Sequence, residues 1–186
     1  MAPSDVGAAA PLVVLLTTLC DVSELILVPL ADNPAAGAEP LAWSLALWGE
    51  ANPWFSPSDW HAFYGKAATA SYGQWNPDGV DQELIYIAQL AGEIVGAIAL
   101  VDFDDVEEFR HLKPWVAAFI VGPDFRGRGI GSAMLATLEE RARNFSITKL
   151  YLWTESQREF YAKRGYQLIE HRQYPEIAID VMGKDL

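Results

Sequence analysis

Two rhythms of apolar positions run along the chain, and the changes between them lay out its elements. Residues 24–31 (ELILVPLA) read as a first strand, ended by the turn residues of DNPAAG. Residues 40–51 (PLAWSLALWGEA) have helical spacing with Pro40 near the start, where proline is tolerated. A second helix is expected over 56–71, capped by Ser56 or Ser58. After the loop YGQWNPDGVD, residues 83–91 and 94–103 read as two strands joined by a tight turn around Gly92 and Glu93. An acidic connection then leads to WVAAFIVG (115–122), a fourth strand with almost no polar residue and so expected to be buried on both faces. A glycine-rich turn follows. Beyond it Ala133, Leu135, Leu138 and Ala142 recur at helical spacing. KLYLWT is a fifth strand, 156–165 a short helix ended by Gly165, and 166–171 and 176–186 two last strands. The order β-α-α-β-β-β-α-β-α-β-β predicts an α+β fold around one mixed sheet.

Composition narrows this. A chain of 186 residues suits one compact domain, expected over 24–186, behind a mobile or loosely docked tail over 1–23. The apolar run 11–20 is shorter than the roughly 20 residues a bilayer span needs. No Lys or Arg precedes it, unlike a secretory leader. A single cysteine, Cys20, leaves no disulfide framework and no CxxC metal pair, which fits a cytoplasmic setting.

Charge divides the chain. Residues 1–109 carry sixteen acids and one base, Lys66, whereas 110–186 carry nine acids and twelve bases. The overall charge of −12 argues against nucleic acid or an anionic membrane as partner. The basic excess lies in the half that holds the glycine turn, which points to an anionic ligand there.

That turn, GPDFRGRGIGSAM, has no lysine before its serine, so it is not a Walker loop. GxGxxG also fails, because the third glycine would fall at Ser132 or Met134. What remains is R-G-x-G-x-G opening a helix after a buried strand. Amides at a helix start lack intrahelical partners and carry the positive end of the dipole, so they suit phosphate oxygens. Arg126 and Arg128 add charge at the same place. The alternative is a turn whose glycines serve only tight packing.

The run Val121-x-Pro-x-x-Arg126-Gly127-x-Gly129-Ile130-Gly131 resembles the acyl-CoA loop of the GNAT N-acetyltransferase superfamily, and FYAKRGYQLIE resembles that family's downstream FYxKxGF segment. The two segments span Trp115 to about His171. The resemblance implies a mixed, mostly antiparallel sheet of about seven strands with about four helices, splayed at the fourth and fifth strands. It implies acetyl-CoA as cosubstrate, with no metal. Arg126, Gly127, Arg128, Gly129, Ile130, Gly131 and Ser132 would hold the pyrophosphate, and Phe119, Ile120 and Val121 would pair with the pantetheine arm. Tyr161 matches the family's usual general acid; its reference pKa near 10 would keep it protonated. Thr154 and Gln157 stand where many relatives have Asn and Ala, a form locally similar to the actin N-terminal acetyltransferase branch. Relatives also make a homodimer through the last strands plausible.

An amine attacks only when neutral, so a base is expected. The chain offers Asp102, Glu108, His111 and Glu155, with Glu155 and His111 leading because they flank the strands that would part around the thioester. Nine aromatics fall within residues 43–75. Most are expected to pack the helices on the sheet, while Trp54 and Phe55, in a proline-punctuated loop, and Trp115 are candidates for acceptor contact. The acidic first half favours a small cationic amine as partner. A peptide N-terminus, or a non-catalytic acyl-CoA-binding module, are the alternatives.

Overall fold

The computed structural model describes residues 22–49, 54–70, 75–76, 79 and 81–186. Residues 1–21, with the apolar run 11–20, and most of the loop before the second strand lie outside the described residues. Val22–Glu24 form a 3-10 turn, with Val22 packed against the core.

Seven strands make one sheet: β1 (Ile26–Pro29), β2 (Glu83–Leu90), β3 (Glu93–Val101), β4 (Trp115–Val121), β5 (Lys149–Thr154), β6 (Gln167–Gln173) and β7 (Ala178–Asp185). Their spatial order is β1-β2-β3-β4-β5-β7-β6, and every neighbouring pair is antiparallel except β4 and β5. The expected α+β architecture is observed. The β2–β3 turn sits one residue earlier than expected, at Ala91 and Gly92, whose φ values of 51° and 83° are both positive. Positive φ at both positions is what a two-residue hairpin of right-handed twist demands.

Alternation along the central strands divides the core between the two faces. Tyr86, Ala88 and Leu90 point to one side, together with Ile130, Met134, Leu135, Leu138 and Ala142 of α3 (Ile130–Asn144). Ile85 and Ile87 point to the other, with Trp60, Phe63, Tyr64 and Ala67 of α2 (Pro57–Thr69). The first helix, α1 (Ala38–Trp48), packs on α2 and on that same face. Ser56 caps α2: its hydroxyl accepts from Asp59 N–H, and the Asp59 carboxylate accepts from Ser56 N–H at 2.8 Å, a reciprocal capping box.

The fourth strand departs from its expected burial. Trp115, Val116, Ala117 and Ile120 are buried, but Ala118, Phe119 and Val121 are only partly so. Two features open it. Ala97 pairs with Ile120 and Ala99 with Ala117, so Ala118 and Phe119 bulge opposite the single residue Ile98, with Ala118 at φ 45°. On the other edge, β4 meets β5 in one register pair, Trp115 with Tyr151. Past that pair the two strands part.

Candidate active site

The parting of β4 and β5 opens a cavity of about 930 Å³ that runs from the glycine turn to the ends of β2 and β3. At one end stand Arg126, Gly127, Gly129, Ile130, Gly131 and Ser132; along its length lie Phe119, Ile120, Val121, Thr154, Gln157 and Tyr161. Residues far apart in the chain meet here because β4 feeds directly into the turn and α3, while β5 feeds into α4 (Arg158–Ala162).

Gly127 and Gly129 have φ of 73° and 80°, and a Cβ on either would meet nothing within 4 Å. Their glycine requirement is therefore conformational, since L side chains avoid that region, and it is not one of packing. The cavity reaches the first residues of α3, Ile130, Gly131 and Ser132. The first intrahelical bond at this end runs from Ala133 N–H to Gly129 O at 3.1 Å, so the amides before it are available to a ligand. Arg126 bends back to donate from Nε to Val121 O at 3.0 Å, which fixes its guanidinium beside the end of β4. Arg128 is exposed and does not line the cavity; its guanidinium lies 5.9 Å from the Phe125 ring centre. These features fit a pyrophosphate, and the unpartnered edge of β4 fits an extended amide chain.

Tyr161 is buried in the short helix α4 against Phe119, Phe160 and Tyr166 and borders the cavity. Burial, then the negative charge of Asp104, holds its phenol above the ordinary tyrosine range, with Arg164 pulling the other way. It is a weaker acid than its reference value suggests. Thr154 Oγ1 accepts from Gln157 N–H at 3.0 Å and so helps start α4. Arg164, which no motif singles out, donates to Ser132 Oγ and to Phe160 O and stacks 3.6 Å over the Phe160 ring. It ties α4 to the start of α3.

The opposite end of the cavity is acidic and aromatic. Trp48 and Trp60 stack with centroids 5.5 Å apart and interplanar angle 11°, and Phe55 meets Trp60 edge-on at 5.1 Å. With Phe63 they form an apolar wall. Facing it are Asp81, Glu83, Asp102, Asp104 and Asp105. Glu83 is paired with Lys66 at 3.2 Å, and Asp102 accepts from Gln82 N–H at 3.0 Å. Among the described residues, no three of His, Cys, Asp and Glu are grouped so as to hold a metal ion.

The candidates for base and acceptor contact divide. Glu155 and Phe55 border the cavity. His111 is exposed in the β3–β4 connection and does not reach it, and Glu108 instead accepts from the Tyr174 hydroxyl. Trp54 packs edge-on against Trp153 and Tyr174 at 5.8 and 5.0 Å, outside the lining. Trp115 is fully buried, its indole N–H donating to Leu112 O at 2.6 Å, so its ring belongs to the core. Asp104 and Asp105 stand out in the structure, although in the sequence they are only part of an acidic connection. Their place directly after the third strand is the one signal that marks them there.

The chain matches the acetyltransferase (GNAT) family over residues 46–166. An acetyltransferase from Streptococcus agalactiae is 18% identical, with 88% of this chain and 99% of that one covered at a TM-score of 0.61. An aminoglycoside 6'-acetyltransferase type Ii is also 18% identical, covering 86% and 96% at 0.61. An IAA acetyltransferase from Bacillus cereus is 17% identical, covering 87% and 98% at 0.56. At such identities the likeness is one of fold.

Proposed function

Since this chain belongs to the GNAT acetyltransferase family, we propose that it transfers the acetyl group of acetyl-CoA to the primary amine of a small organic cation, by direct attack in a ternary complex. The observation that carries the acceptor class is the far end of the cavity, where five acidic residues share the lining with the stacked Trp48–Trp60 pair, Phe55 and Phe63. Aromatic faces and carboxylates together suit an ammonium group, each ring contact contributing roughly 0.5–2 kcal/mol. An acidic peptide would meet like charge there.

Acetyl-CoA supplies a thioester whose carbonyl carbon is open to an amine. The free amides at the start of α3, with Arg126, hold the pyrophosphate, and the edge of β4 from Val116 to Val121 orients the arm. Main-chain N–H groups of that strand stabilise charge that grows on the thioester oxygen. Tyr161 hydrogen-bonds the departing sulfur. Because its phenol is held above the usual range, it passes its proton to the sulfur as it regains one from the attacking nitrogen. The C–N bond forms, the C–S bond breaks, and no free phenolate accumulates.

The test is turnover with acetyl-CoA over a panel of spermidine-like polyamines, amino sugars and acidic peptides. Cationic amines are expected to be acetylated, with kcat for the best of them falling on the order of 10²-fold in Tyr161→Phe. Turnover of the acidic peptides alone overturns the acceptor class.

A further inference from the structure

The adjacent acids Asp104 and Asp105 stand where β3 ends, and both border the cavity together with Phe119 and Tyr161. Their placement is specific. Val106 N–H donates to Asp104 O at 2.8 Å, closing a three-residue turn around Asp105, whose φ is 60°. That turn is strained for a residue with a side chain, and strain of this kind persists only where the surroundings enforce it. Here the enforcing contact spans the gap: Trp153 of β5 donates its indole N–H to Asp104 O at 3.1 Å. The turn is thus fastened to the strand that parts from β4, beside the opening the thioester needs.

These two acids differ from Glu83 in lacking a cation. Among the described residues, neither has a Lys, Arg or His nitrogen within 4.0 Å. Glu83 is paired with Lys66, whereas Asp102 has no such cation either but accepts from the neutral Gln82 N–H.

From this geometry we propose that the Asp104–Asp105 pair is the general base that takes the proton from the acceptor ammonium. The inference rests on the cationic-amine reading above. One N–H bond of the ammonium breaks, its electron pair stays on nitrogen, and the proton goes to a carboxylate oxygen of the pair. The neutral amine attacks the thioester carbon, and the pair returns its proton to solvent. The surrounding charges suit this task. Burial pushes Asp105 up to about 7, with Asp59 of α2 and Glu83 of β2 adding negative charge. Burial and the charge of Asp105 hold Asp104 well above the carboxylate range, with the Trp153 indole pulling it down. The charge of Asp104 acts on Tyr161 of α4, and Lys66 is paired with Glu83. A base that titrates near neutrality is the efficient one, and two coupled carboxyls titrate as a pair.

The experiment measures kcat/KM against pH for wild type, Asp105→Asn and Asp104→Asn, with spermidine and with O-methylhydroxylamine, an acceptor already neutral over the range. Asn tolerates positive φ, so Asp105→Asn keeps the turn, and an acetyl-CoA-induced rise in melting temperature checks that each variant folds. Wild-type kcat/KM for spermidine is expected to rise through about pH 7. The variants should lose that rise and fall on the order of 10²-fold, yet lose far less with the neutral acceptor. Equal losses with both acceptors, or an unchanged pH profile, overturn the proposal and leave the cationic-amine reading standing. Wild type that acetylates no cationic amine overturns both.

Discussion

Asp105 is held at φ 60° on a cavity wall, with Asp59 and Glu83 adding negative charge around it. Its folded-state pKa of about 7 lies above the ordinary aspartate value of 3.8, so the native state binds this proton more tightly than the unfolded chain does. The linked stability is full below about pH 4 and is lost as pH rises through about 7. Asp105→Asn is therefore expected to melt above wild type at pH 8, with the difference shrinking toward pH 4, as thermal unfolding at the two pH values would read. A gain in stability alongside a loss of turnover marks a residue kept for chemistry. Tyr161 is legible in the sequence and this pair is not, for one reason. Tyr161 lies in a motif with fixed spacing, whereas the ionisation of Asp105 depends on its burial in the fold and then on charges contributed from α2 and β2, which no local pattern displays.

The glycine turn is legible because its geometry is local: two glycines at positive φ and a helix start are contiguous in the chain. The bulge in β4 is not, since Ala118 at φ 45° looks like any residue of an apolar strand. Its partial exposure follows from the missing β5 partner beyond Trp115, a non-local fact. The acceptor wall lies between these cases. The run of aromatics over α1 and α2 is visible, but which rings pack and which face the cavity is set by docking on the sheet. Trp54 turns to Trp153 and Tyr174, while Trp48 and Trp60 stack beside the acids. The α2 segment depends on its capping box, so Ser56→Ala is expected to cost about 1 kcal/mol. In a domain of this size that lowers Tm by about 2–4 °C in a thermal melt, with kcat unchanged.

Across the whole molecule the uneven charge of the chain maps onto the two ends of one cavity. The basic turn with Arg126 belongs to the half that carries twelve bases, and the acidic wall to the half that carries sixteen acids. On the proposed reading, an anionic cosubstrate and a cationic acceptor enter opposite ends and meet where β4 and β5 part, between Tyr161 and the Asp104–Asp105 turn. Among the described residues no helix is long and apolar enough to cross a membrane. The claim on which the rest depends is that the glycine turn holds acetyl-CoA. The direct measurement is thermal unfolding with and without acetyl-CoA for wild type, Arg126→Glu and Gly129→Val. A ligand at 100 times its Kd adds about 2.7 kcal/mol to the native state. Wild type is expected to shift upward, and the two variants, folded but with reversed charge or with a β-branched side chain forced to φ 80°, are expected to lose the shift. An equal shift in all three proteins, or none in wild type, would contradict the account.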